Sequence, residues 1–247
     1  MDDLQLEQEA LQEARKRKKD FAREKVDSIA GEDCPVSVFM AGSPGAGKTE
    51  TARNMKELFV QQSGLDFIHI NNDEYRKEFS GYIGINSPLF QSAATIFVEA
   101  VHDRALKRSV SFIMDTTLSN YTKAKSNISR SLAKSREVLI VFVYQSPSQA
   151  WEFVQARETV EGRRVPDAVF IEQFLSAQVT VSRLKQEFKD KVNLMFIKRD
   201  SHVGQEAVYF DVKDIDALLG RKYTSSELKA LVEMARAEGD HEYGPKQ

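Results

Sequence analysis

From Pro35 onward, short apolar runs alternate with longer stretches in which apolar residues recur every three or four positions. Runs of four to seven residues rich in Val, Ile and Phe predict buried strands, and the wider spacing predicts helices laid against them. Five strands follow, over residues 36–41, 67–70, 112–115, 138–144 and 194–198. Helices are predicted between them over 48–62, 88–108, 121–135, 148–158 and 167–189. In the last of these, Phe170, Phe174, Ala177, Val181, Leu184 and Phe188 form a core-facing stripe with no chemistry of its own. Such alternation is the mark of an α/β domain whose parallel sheet is covered by helices on both faces.

The ends of the chain have a different texture. Residues 1–33 open with Glu7, Glu9 and Glu13 and continue into Arg15, Lys16, Arg17, Lys18 and Lys19, with Leu4, Leu11, Ala14 and Phe21 as a thin apolar stripe. Acids early and bases late suit a helix dipole, so a charged helical extension resting loosely on a 34–223 domain is expected. Residues 224–247 read as a capped final helix over 226–237 and a frayed polar tail.

Composition narrows the functional classes. Lys plus Arg number 35 and Asp plus Glu 37 in 247 residues, a balance without the basic surplus that duplex nucleic acid demands. One cysteine, Cys34, excludes an internal disulfide and a cysteine-rich metal site. The first residues are polar and no window approaches the roughly 18 apolar residues of a membrane span, so a soluble cytoplasmic protein is expected.

Chemistry enters at the end of the first predicted strand, where Gly42-Ser43-Pro44-Gly45-Ala46-Gly47-Lys48-Thr49 satisfies G-x-x-x-x-G-K-[ST] between a strand and a helix. Glycines let backbone N–H groups turn inward around phosphate oxygens, and the helix N-terminus adds partial positive charge. Lys48 is then the clamp on the β- and γ-phosphates, Thr49 offers a hydroxyl to Mg²⁺, and Glu50 follows in the first helical turn. ATP or GTP with Mg²⁺ is the implied ligand.

Strands of a parallel sheet end on the same side as this loop, so carboxylates at strand ends are the candidates for acid–base and metal work. Asp73 follows the second strand and Asp115 ends the third. Arg157, Arg163 and Arg164 flank Gly162 after the fourth strand, where a mobile arginine lid could stabilise the charge of a transferring phosphoryl group. The residues alone leave open a kinase of some other acceptor and a nucleotide-dependent switch.

Together, the loop, the Asp73-x-x-Arg76 element, Glu99, Asp115 with Thr117 and the paired lid arginines resemble the zeta toxin family of P-loop kinases over residues 35–188. That resemblance implies a sheet of order 2-3-1-4-5 and γ-phosphoryl transfer to the amino-sugar 3′-hydroxyl of UDP-N-acetylglucosamine. It implies Asp73 as general base, Arg157 and Arg163 as lid arginines with Arg164 competing for the second role, and Glu99 and Thr117 as acceptor contacts. It also implies a possible antitoxin partner that blocks the nucleotide site with a helix, and the separate composition of residues 1–33 leaves open, beside the loosely resting extension, an inhibitory or docking helix acting in cis. Where well-known members read Glu-Gly-Thr-Leu-Arg, this chain reads Asp115-Thr116-Thr117-Leu118-Ser119.

Overall fold

The computed structural model describes residues 2–64, 66–200 and 204–242. Helix α1 spans Asp3–Val26, followed by β1 (Val36–Ala41), α2 (Lys48–Ser63), β2 (Ile68–Asn71) and α3 (Asn72–Arg76). A 3-10 turn at Ser87–Phe90 leads into α4 (Gln91–Arg108), then β3 (Phe112–Asp115), α5 (Tyr121–Leu132) and β4 (Glu137–Gln145). The chain continues through α6 (Pro147–Glu161), α7 (Asp167–Phe188), β5 (Asn193–Asp200), β6 (Gln205–Tyr209), α8 (Asp216–Leu219) and α9 (Ser225–Glu242).

The sheet has order β2-β3-β1-β4-β5-β6, with the first five strands parallel and β6 antiparallel to β5. The order expected for the first five strands is found, and the count of five is corrected to six. All of β6 is exposed, so it lacks the apolar run that marks the buried strands. β1 illustrates why those strands read as continuous apolar segments: Val38 and Met40 pack on the α2 side with Ala52, while Phe39 and Ala41 join the larger core on the opposite face. No helix among the described residues is long and apolar enough to cross a membrane.

The N-terminal helix does not rest loosely on the surface. Ala10, Ala14, Phe21, Ala22 and Val26 of α1 are buried in the main core, and small alanines bring the helix close to α4. Phe21 stacks on Phe97 of α4 at 4.1 Å between centroids and meets Tyr75 of α3 edge-on at 5.0 Å. Lys25 and Arg17 reach Glu78, just beyond α3. The thin stripe underreported this packing because alanine contributes little to an apolar pattern while permitting near approach of helix backbones.

At the other end, Thr224 and Glu227 bond reciprocally across the start of α9, with Glu227 Oε2 accepting from Thr224 N at 2.7 Å and Glu227 N donating to Thr224 Oγ1 at 3.2 Å. Leu228 and Val232 bury the helix against α6 and α7. It continues to Glu242, through the 239–241 stretch expected to fray. The tail beyond it lies outside the described residues.

Candidate functional site

The strand β1 delivers its chain into a tight loop whose shape depends on missing side chains. At Gly45 (φ 75°) a Cβ would lie 2.0 Å from the Ala150 carbonyl oxygen of α6, and at Gly47 (φ 85°) one would lie 2.1 Å from Nη1 of Arg199. Neither position admits another residue without displacing backbone or a held arginine. Pro44, Gly45, Ala46, Gly47, Lys48, Thr49 and Glu50 line a cavity of about 1340 Å³. Gly42 and Ser43 stand behind this lining: Gly42 N donates to Thr117 O at 3.2 Å, and the Ser43 carbonyl accepts from Lys48 Nζ at 2.7 Å.

Burial lowers Lys48 from its ordinary 10.5 to about 8, against the opposing pull of Asp115 and Asp73. Both carboxylates therefore act on the ammonium that the loop presents. Thr49 Oγ1 donates to Asp115 Oδ2 at 2.6 Å, and Asn71 Nδ2 donates to the same oxygen at 3.0 Å. Burial pushes the Asp115 carboxyl up, but the neighbouring His69 ring, Lys48 and the Thr49 hydroxyl outweigh it and hold the carboxyl below its usual range. Two adjacent oxygen donors fit Mg²⁺, which takes most of its octahedral shell from phosphate and water. Among the described residues there is no cluster of three or more His, Cys, Asp or Glu able to hold a metal by protein ligands alone.

Asp73 sits in α3, which begins immediately after β2. The side chain of Asn71 caps this helix, accepting from Asp73 N at 2.8 Å and Glu74 N at 3.3 Å. The Asp73 carboxylate lines the same cavity as Lys48. One of its oxygens pairs with Arg163 and the other lies 3.3 Å from Arg76 Nη1. Arg76 is itself buried, with Nη1 donating to Ser87 Oγ at 2.5 Å.

The segment expected to act as a lid comprises the end of α6, the turn at Gly162 and the stretch leading to α7. Arg157, Arg163 and Arg164 all border the cavity. Arg163 turns inward to Asp73, Arg157 pairs with Glu161 at 3.3 Å, and Arg164 stands 3.8 Å from Glu158. Thr117 lines the cavity and shares a 2.9 Å hydrogen bond with Ser119. The hydroxyl of Thr116 donates back to Met40 O of β1 at 3.1 Å.

Glu99 does not reach the cavity. It is exposed on α4 and pairs at 3.0 Å with Lys123, which does line the wall. Helix α1 supplies none of the lining residues and packs on α4, so the inhibitory alternative for residues 1–33 does not take the form of a helix seated in this cavity. Sequence reasoning missed Asn71, Lys123 and Arg199. Asn71 with Glu74 three positions later carries the signal of a helix start, whereas Arg199 falls one position beyond the predicted strand 194–198 and belongs to no motif.

A model of the family described as Zeta toxin matches residues 19–210. Among solved structures, the PezAT chromosomal toxin-antitoxin system of the human pathogen Streptococcus pneumoniae is similar at a TM-score of 0.63 and 13% identity, covering 93% of this chain and 95% of that one. The AvrRxo1-ORF1:-ORF2 structure with ATP is similar at a TM-score of 0.61 and 14% identity, over 93% of this chain and 84% of that one. At these identities the structures establish the shared fold. No curated protein sequence gives a significant match. The family model spans most of the sequence, and the phosphate loop it implies stands at the end of β1 bordering the cavity, so the chain belongs to the Zeta toxin family of P-loop kinases.

Proposed function

We propose that this protein transfers the γ-phosphoryl group of ATP or GTP to a hydroxyl of a nucleotide sugar of the UDP-N-acetylglucosamine type. The observation that carries the reading is the shared cavity: Lys48 and Thr49 border it from the phosphate loop, and Asp73 borders it from the neighbouring edge of the sheet. An alcohol placed between them has a base for its proton and a phosphoryl group in line, which is most of what this transfer requires of a protein.

In this reading Lys48 clamps the β- and γ-phosphates while backbone N–H groups from Gly42 to Thr49 shape the cradle. Asp73 accepts the proton of the attacking hydroxyl. Arg163 leaves Asp73 as the triphosphate arrives and, with Arg157, meets the charge on the transferring phosphoryl oxygens, with Arg164 as the adjacent candidate. Arg76 keeps Asp73 oriented throughout. Thr49 and Asp115 are the residues that would hold Mg²⁺, which when bound neutralises phosphate charge. Thr117 contacts the acceptor, and Glu99 acts on that wall through Lys123. Such a kinase works in the cytoplasm, where triphosphates and nucleotide sugars are found. The toxin-antitoxin setting of the PezAT structure supports a proposed protein partner that restrains the activity.

Incubation with γ-labelled ATP or GTP and a panel of UDP-sugars, dinucleotides and oligonucleotides tests the proposal. Label is expected on a UDP-sugar and lost by several orders of magnitude in Asp73→Asn, with nucleotide affinity retained. Label on a dinucleotide or oligonucleotide instead would replace the acceptor, and label on none would leave a nucleotide-dependent switch.

A further inference from the structure

We propose that Arg199 is the platform on which the nucleobase of the triphosphate stacks, making it a determinant of nucleotide recognition outside the phosphate loop. The inference rests on the nucleotide-binding reading above and extends it to the end of the cavity away from the transfer chemistry.

Sheet order sets the direction. Asp73 follows β2 and Arg199 lies near the end of β5, so they sit on opposite sides of β1, whose end forms the phosphate loop. Four strand spacings of about 4.8 Å separate β2 from β5, or roughly 19 Å. That is the scale of an extended nucleoside triphosphate. Both residues border the same cavity. In-line transfer requires the γ-phosphoryl end to face Asp73, so the nucleoside leaves the loop toward β5.

Arg199 is fixed at that exit. Nη1 donates to Glu50 Oε2 at 2.9 Å, from the first turn of α2, and Nε donates to Glu206 Oε2 at 2.8 Å, from the cross-strand position on β6. Its side chain is only 17% exposed. It lies against Gly47, where a Cβ would come within 2.1 Å of Nη1 and 3.1 Å of Cζ. Both ion pairs engage edge nitrogens, an arrangement that orders the guanidinium plane while leaving a flat face for stacking. A cationic plane held in place meets an aromatic base without a large ordering cost. Gly47 thus has two duties, turning the loop and making room for the arginine that covers it.

The competing role for Arg199 is a phosphate contact or a brace for the loop, and inorganic tripolyphosphate separates these because it has the phosphates without the base. Calorimetric titration of the full chain with magnesium complexes of ATP, GTP and tripolyphosphate is the experiment. The wild-type protein is expected to bind ATP or GTP more tightly than tripolyphosphate. Arg199→Ala should weaken the preferred nucleotide about tenfold and leave tripolyphosphate within twofold, and Arg199→Lys, which keeps charge but not the plane, should behave like the alanine variant. Retained tripolyphosphate binding also certifies that the loop is folded. Equal losses for nucleotide and tripolyphosphate, no loss in either variant, or rescue by lysine would each overturn the stacking role. If the wild-type chain binds neither ligand, the nucleotide reading fails first and takes this inference with it.

Discussion

Phe21→Ala tests whether α1 belongs to the catalytic domain or merely accompanies it. Phe21 is 3% exposed, stacks on Phe97 and meets Tyr75 edge-on. Truncating such a ring typically costs about 3–5 kcal/mol, combining lost transfer energy with the cavity left behind. Partial collapse of a terminal helix onto α4 argues for the lower part of that range, about 3–4 kcal/mol. For a domain of this size each kcal/mol lowers Tm by roughly 2–4 °C, so the variant should melt about 10 °C below the parent. Urea unfolding with the m-value held constant measures the loss directly. Because Tyr75 shares α3 with Asp73, residual folded protein should also lose kcat while nucleotide affinity stays near the parent value. A loss below about 1 kcal/mol with unchanged turnover would refute the reasoning and return α1 to the status of a detachable extension.

Lys48 predicts a pH dependence with a definite sign. Its charge is present below about 8 and is lost above it, so ATP Kd should rise about tenfold between pH 7 and 9 by calorimetry, with little change in Lys48→Met. The same group's contribution to stability moves the other way, rising from about 8 toward its unfolded value as the cost of burying a cation disappears. Arg163→Ala should lower kcat by about 10²–10³ with ATP affinity within a few fold, and an unchanged kcat would remove Arg163 from the transfer step. Asp115→Asn keeps the shape beside Thr49 and Asn71 but removes the charge. It should raise the Mg²⁺ concentration for half-maximal turnover about 10- to 100-fold, and an unaltered Mg²⁺ curve would assign the carboxylate a purely structural role.

How much of this was legible in the sequence depended on how local each signal was. The phosphate loop, its preceding strand and its following helix lie within one short segment and carry their own pattern. Asp115 and Asp73 could be placed because parallel strands bring their ends to one side. Strand β6 could not, since an edge strand exposed along its length is held by backbone pairing to β5 and leaves no apolar imprint. Arg199 was hidden for a related reason: its significance comes from Glu50, 149 positions away, and from Gly47, whose proximity only the sheet order creates. Glu99 was the converse case, a carboxylate in a plausible position whose helix face points it at Lys123 instead of the cavity.

The packing of α1 against α4 also bears on how the chain is made. Residues 3–26 are synthesised before the two strands and the helices between them and residue 91, so Phe21 and Val26 emerge with no surface to cover them. The dense charges of that helix keep the nascent segment hydrated during the wait. Backing for α3 arrives only when α4 has been translated and meets α1, so a ribosome-bound fragment ending after α3 lacks the platform behind Asp73, and assembly of the site is deferred to a later stage of synthesis.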